Sequence, residues 1–319
     1  MCFQHPENLI SCPDIDVVIP TLNSEHDIES CLKNIKKQRY RGKLNIIIVD
    51  GGSTDKTVDI SNAYNCKVYT KRGAYMNGIE GAYNFGMKHS TSEYIFRMDS
   101  DNFLVGEEFF SDLVKPMMED NSINISISVP ISGPNANCFE QFGVINDRGI
   151  LYEIAKRGNM NEKFYVVEDL DYGLTNAALF RRSVYERVGG FISDISFLIS
   201  LRANALSKTA INFGANFYHP FPSYHDYIKK MYKRFRKIAS LTDSYEIKYK
   251  GKRKDYEKMN TSLHAYIKSI LFAAKGFLEY KDKIHFCGLI LSITPILIIA
   301  IAPLSSLKIY FRYLRNLFS

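Results

Sequence analysis

The stretch YIFRMDSDN, Tyr94 to Asn102, decides how this chain is read. An apolar, β-prone run ends there in two carboxylates, Asp99 and Asp101, on either side of Ser100. Open α/β sheets bind ligands beyond the carboxyl ends of their strands, where a carboxylate pair can hold a hard divalent cation against a diphosphate. Taken alone, the pair reads as an acidic turn that caps the next helix. Its company in the chain overturns that plainer reading.

Upstream, DIDVVIPTLNSE (Asp14 to Glu25) is an apolar strand ending in Pro20, Thr21, Leu22 and Asn23, followed by Ile28, Leu32 and Ile35 at helical spacing. Next, LNIIIVDGGSTDKT (Leu44 to Thr57) is a second buried-type strand that runs into Asp50, two glycines and a Ser/Thr/Asp turn. Such a turn brings backbone N–H groups and a carboxylate acceptor to one small ligand. Between Lys71 and Asn102 a basic residue precedes a helix whose Gly78, Gly81, Ala82 and Gly86 keep one face small, and the Asp99 strand follows. A small face permits close approach to a sheet or ligand.

Together these blocks resemble glycosyltransferase family 2 on the GT-A fold, over about Asp14 to Phe191 and more weakly to His225. The resemblance implies an α/β, Rossmann-like mixed sheet flanked by helices, and inverting transfer of a sugar from a nucleotide donor. It implies nucleotide contacts for Pro20, Thr21, Asn23, Asp50 and Ser53, with Arg72 near the base or diphosphate. Asp99 would touch the ribose or the metal, and Asp101 would hold the cation, Mn2+ or Mg2+. Ser24 departs from the family pattern, which has Glu directly after the Asn; Glu25 follows it here.

The acceptor side is read from LTNAALFRRSVYERVGGF (Leu174 to Phe191), similar to the family's strand, helix and Gly-Gly-Phe turn. An inverting transfer needs a general base opposite the leaving nucleotide, to take the acceptor's proton as it attacks. Relatives use the Asp of an acidic pair soon after that turn. Here Asp194 is the carboxylate in that region, with Ser193 in place of the preceding Glu. The competing cluster is VEDLDYG (Val167 to Gly173), with Glu168, Asp169 and Asp171, which reads otherwise as a polar turn. His219 and His225, in FYHPFPSYHDY, are candidate third metal ligands or simply packed beside aromatics. Residues 132–161, rich in Gly and Asn, read as an acceptor loop.

Six cysteines lie scattered through 319 residues without C-x-x-C or Cys/His spacing, so a disulfide framework and a zinc site are not expected. The amino terminus lacks the basic start and apolar run of a secretory signal, which puts the catalytic part on the cytoplasmic side. The other end differs. Residues 284–307, IHFCGLILSITPILIIAIAPLSSL, contain no Asp, Glu, Lys or Arg. As a helix at about 1.5 Å per residue they are long enough for a hydrocarbon core of about 30 Å. They read as one membrane span, against a buried core helix.

Before the span, residues 262–280 suit an interfacial amphipathic helix. YIKKMYKRFRK (Tyr227 to Lys237) and KYKGKRKDYEK (Lys248 to Lys258) hold much of the net charge of +7, interleaved with aromatics. Such stretches track nucleic-acid phosphates or sit on anionic headgroups. With no RNA-binding signature or zinc finger, and with an apolar span downstream, the membrane is favoured and nucleic acid is not expected. The chain has no Trp and so lacks the Gln-x-x-Arg-Trp motif of processive synthases.

The expected order is a tail (1–11), a catalytic domain (12–225), interfacial helices (226–283), the span (284–307) and a basic tail (308–319). The expected activity is single hexose transfer to a lipid-linked acceptor. The runner-up acceptor is a non-lipid glycan of a surface polysaccharide or glycoprotein, and a different class is a tethered nucleotide-sugar-binding protein without transfer activity.

Overall fold

Ile15–Thr21, Leu44–Asp50 and Tyr94–Arg97, all apolar runs in the sequence, are neighbouring parallel strands at the centre of the computed structural model. The structure describes residues 4–5, 8–9, 12–70, 79–170, 177–190, 201, 203–220, 224, 274–275, 278 and 287–290. It divides into two compact units, Met1–Ile131 with Arg148–His219, and Ser132–Asp147 with Pro220–Ser319.

In the first unit a short antiparallel pair, β1 (Gln4–His5) and β2 (Asn8–Leu9), precedes the main sheet. The sheet runs β5 (Lys67–Thr70), β4 (Leu44–Asp50), β3 (Ile15–Thr21), β6 (Tyr94–Arg97), β11 (Ala178–Arg181), β8 (Ile125–Pro130), β12 (Thr209–Tyr218), β10 (Phe164–Val167), β9 (Asn159–Asn161). The short β7 (Phe103–Val105) pairs with β12. Strands β3 to β6 are parallel; β11 enters antiparallel between β6 and β8. This is the mixed sheet expected from the sequence.

Both faces of the central strands are apolar, so alternate side chains enter two cores. Val18, Ile47, Val49 and Ile95 point to one core; Ile15, Val17, Ile19, Ile46, Ile48 and Phe96 point to the other. The first is covered by α3 (Ile79–Lys88), by residues 148–155 of α5 (Cys138–Ala155) and by α6 (Arg182–Val188). The second is covered by α1 (Ile28–Lys36), α2 (Thr57–Ala63) and α4 (Phe109–Glu119). The small face expected of α3 makes a real close approach. A methyl added at Gly86 would run into Val18 Cγ1 and meet Val49 Cγ2 at 2.8 Å.

α5 corrects the acceptor loop read over residues 132–161. Leu151, Ile154 and Ala155 are fully or nearly buried at helical spacing, and Asn137 Oδ1 caps the helix by accepting the Phe139 and Glu140 N–H groups at 2.9 and 3.0 Å. Burial outweighs the poor helix propensity of Gly143, Asn146 and Gly149.

In the second unit Cys138 is disulfide-bonded to Cys287, with their Cα atoms 6.0 Å apart, and the Phe139 ring stacks on Tyr224. Cys12, in the first unit, is disulfide-bonded too. The expectation of free thiols thus fails for these residues and holds for Cys31 and Cys66. Cys138 and Cys287 are 149 residues apart, which leaves no spacing to read. Among the described residues no helix is long and apolar enough to cross a membrane. Of the stretch read as a span, Cys287–Ile290 are described and are helical; the rest, like both basic segments, lies outside the described residues.

Candidate functional site

The turns beyond β3, β4 and β6 meet at one edge of the sheet, because parallel pairing puts Thr21 opposite Asp50 and carries Val18 beside Arg97. Asp50 is fully buried and organises the turn that follows it. Its Oδ2 accepts N–H bonds from Gly52 at 2.9 Å and Ser53 at 3.0 Å, and its Oδ1 accepts the Ser53 hydroxyl. Thr21, also buried, donates its hydroxyl to Asp50 at 3.5 Å. Pro20 is buried within β3.

Asn23 takes the left-handed backbone conformation, φ +52°, which Asn tolerates better than most residues. Its N–H donates to Ser53 Oγ at 2.8 Å, and its Oδ1 accepts the Thr54 N–H at 2.9 Å. Ser24 N–H donates to Thr57 Oγ1 at 2.8 Å, and Ser100 Oγ donates to Ser24 Oγ at 3.2 Å. Pro20, Thr21, Asn23, Asp50 and Ser53 are therefore together, and Ser24 joins them to the acidic turn.

That turn brings Asp99 and Asp101 beside His219, and the ligand atoms of the three all lie within 4.8 Å of one another. Strand register brings the histidine in from far along the chain. β7 pairs antiparallel with β12, Phe103 opposite Tyr218, so the residue after β12 returns to the residues just before β7. His219 Nδ1 sits 3.0 Å from Asp101 Oδ1. Burial raises the Asp99 carboxyl above the ordinary aspartate range; a hydrogen bond from Tyr83 opposes the rise and the Asp101 charge adds to it. Burial and the charge of Asp101 likewise raise Asp27, before α1.

Two carboxylates and an imidazole at this separation suit a six-coordinate cation with bonds of about 2.0–2.2 Å, so the donor set fits Mn2+ or Mg2+. Tyr83 was not foreseen from the sequence. Its hydroxyl donates to Asp99 Oδ1 at 2.6 Å. A tyrosine on the inward face of a helix needs a partner for its hydroxyl, and that was the available signal.

The alternative base Glu168 is corrected by its position. Val167, just before it, pairs with Thr209 at the start of β12, whereas His219 follows the other end of that ten-residue strand. At about 3.3 Å per residue the two ends are roughly 25–30 Å apart. Glu168 is exposed there and lies 3.5 Å from Lys208; Asp169, next to it, is exposed as well. Neither shares a cleft with the acidic cluster. The sequence could not show that Glu168 and Asp169 follow a strand that ends at the far end of the sheet. Arg72, Asp171, Asp194 and His225 lie outside the described residues.

A mixed sheet clad in helices on both faces, with an Asp-x-Asp turn at the carboxyl ends of its parallel strands, defines a GT-A type domain. The sequence model described as Glycosyl transferase family 2 matches residues 16–189, over half of the chain, and the chain belongs to that family. It is similar to a PGL/p-HBAD biosynthesis glycosyltransferase of Mycobacterium tuberculosis, 29% identical over 120 residues, 33% of this chain and 46% of the relative. It is also similar to a poly(ribitol-phosphate) beta-glucosyltransferase of Bacillus spizizenii, 36% identical over 98 residues, 29% of this chain and 16% of the relative. These matches span less than half of either relative's length. In structure it is similar to a mannosyltransferase of Pyrobaculum calidifontis solved in complex with GDP-Man and Mn2+. There the TM-score is 0.55 at 16% identity, covering 92% of this chain and 89% of that one, a likeness of fold.

Proposed function

We propose that this chain is an inverting glycosyltransferase that moves one hexose from a UDP- or GDP-linked donor to a lipid-linked acceptor. The acceptor class is a polyprenyl or dolichyl phosphate or a lipid-linked oligosaccharide. The observation that carries the transfer chemistry is the Asp99, Asp101, His219 cluster beside the Asp50 turn. The turn residues Thr21, Asn23, Asp50 and Ser53 hold the nucleotide half of the donor, and Arg72 balances diphosphate charge. Asp101, Asp99 and His219 would hold Mn2+ or Mg2+, which neutralises the diphosphate as it leaves. Asp194 accepts the proton of the acceptor hydroxyl as that oxygen attacks the anomeric carbon from the opposite face.

The acceptor class rests on the uncharged stretch 284–307 and the basic, aromatic segments before it, read as a single C-terminal span with the catalytic unit facing the cytoplasm. The second reading, a glycan acceptor without lipid, draws support from the relative whose name specifies poly(ribitol-phosphate). Radiolabelled UDP- and GDP-sugars, incubated with the full chain and Mn2+ or EDTA, test both. Label that enters the organic phase with polyprenyl phosphate supports the first reading, and label confined to soluble glycan replaces it with the second. Donor bound without release of nucleotide diphosphate in any mixture leaves a binding protein. Asp194→Asn should lower kcat by about 10²-fold or more with donor affinity unchanged, since the amide keeps shape and loses basicity. Near-full turnover in that variant moves the base elsewhere.

A further inference from the structure

Tyr83 reaches the acidic cluster from α3, and its surroundings leave its hydroxyl little freedom. The ring is 2% exposed and packs in the core shared by Val18, Val49 and Ile95, with the Arg97 guanidinium 5.0 Å from its centroid. Its hydroxyl donates to Asp99 Oδ1 at 2.6 Å. Aspartate's carboxyl end turns in a broad, shallow torsional well, so a carboxylate left to itself does not hold one orientation. A rigid donor anchored in the core removes that freedom.

We propose that Tyr83 is a positioning residue for the cation site: it fixes the Asp99 carboxylate so that an oxygen faces the space shared with Asp101 and His219. This rests on the reading of Asp99 as a ligand. Three features carry it. The contact is short, the ring is immobilised by packing and by Arg97, and Asp99 lies two residues beyond β6 in a turn whose backbone is tied by the Asn102 N–H donating to the Asp99 carbonyl at 3.2 Å. Groups that hold a metal ligand by hydrogen bonding change metal affinity by about 10–100-fold when removed, without touching the ion.

The test is Mn2+ alone, titrated into the full chain and followed by the electron paramagnetic resonance of free Mn2+. Wild type, Tyr83→Phe, Asp99→Asn, Asp101→Ala and the Tyr83→Phe/Asp99→Asn double variant are compared, with metal-free melting in parallel. The Phe variant keeps the ring and loses only the hydroxyl. The Mn2+ Kd should rise by about 10-fold or more in Tyr83→Phe. On the Asp99→Asn background the same change should add nothing, because the hydroxyl acts through that carboxylate. An unchanged Kd in Tyr83→Phe, with binding still lost in Asp101→Ala, overturns the role of Tyr83 and leaves the metal reading standing. A loss of equal size on the Asp99→Asn background, or one tracking a fall in metal-free melting temperature, makes Tyr83 structural only and also overturns the proposal. Wild type that binds no Mn2+ sinks this inference together with the metal reading.

Discussion

Asp16 enters the sheet near the amino end of β3 and Asp99 leaves it at the carboxyl end of β6, and the two carboxylates meet opposite surroundings. Asp16 is 1% exposed, and its Oδ2 accepts the Thr91 and Ser92 N–H groups at 2.6 and 2.9 Å. Its Oδ1 accepts the Ser92 hydroxyl at 2.7 Å and the Asn45 amide at 2.9 Å. Burial disfavours its charge, yet these bonds outweigh burial and hold the carboxyl below the ordinary aspartate range. Asp99 has the Tyr83 hydroxyl and a second carboxylate nearby, and it is shifted the other way. One end of the sheet satisfies its acid from within the chain. The other gathers Asp99 and Asp101 around His219, a donor set that fits a divalent cation.

If that contrast is right, Asp101→Ala produces the largest change. Metal-dependent transfer should fall by about 10²–10³-fold or more. Metal-free stability should stay within about 0.5 kcal/mol, because the side chain belongs to a partly exposed turn. Transfer near the wild-type rate would erase the functional half of the comparison.

Asp16→Asn should reverse the pattern, costing about 2–4 kcal/mol of stability, because the amide NH2 must face groups that already donate. Transfer by the fraction that folds should be intact. The pH dependence follows the direction of the shift. A carboxyl lowered in the folded state contributes its full stability above the unfolded value, near 3.9, and loses it as pH falls through the folded one. Urea midpoints at successive pH values should therefore converge for wild type and Asp16→Asn in strong acid; a constant gap would show that Asp16 stays paired however acidic the medium.

Gly86→Ala should cost about 1–3 kcal/mol, since the added methyl overlaps Val18 and presses Val49 where α3 lies on the sheet. Thermal melting reads it, and an unchanged melting temperature would mean that α3 shifts freely over the strands. The smallest effect belongs to Glu168→Gln. At the far end of β12 from His219, it should leave kcat within about twofold, as expected for an exposed residue remote from the reacting atoms. A large loss of turnover would put the acceptor site at the wrong end of the sheet for this comparison.

Much of this was legible in order along the chain. The buried-type strands at Ile15, Leu44 and Tyr94, the small face of α3 and the turn chemistry at Asn23, Asp50 and Asp99 are local signals, carried by neighbours within one element. Asp50 was legible as a site residue but not as the buried anchor of its own turn, because the N–H groups of Gly52 and Ser53 point back only once the turn has formed. His219 was one of two candidate histidines in the sequence, and the pairing of Tyr218 with Phe103 is what carries it to the acidic turn. α5 was hidden by its two glycines and Asn146, whose weak propensity is offset by a core that no local window displays.

The sequence by itself determined the class of fold, the buried-type strands at Ile15, Leu44 and Tyr94, and the acidic turn, because apolar runs and turn residues act over a few positions. Tertiary structure alone decided that His219 joins Asp99 and Asp101, that the Tyr83 hydroxyl donates to Asp99, that Glu168 lies at the far end of the sheet, and that Cys138 bonds Cys287. Each of these is a contact between residues far apart in the chain. Register and packing, rather than composition or spacing, bring such residues together.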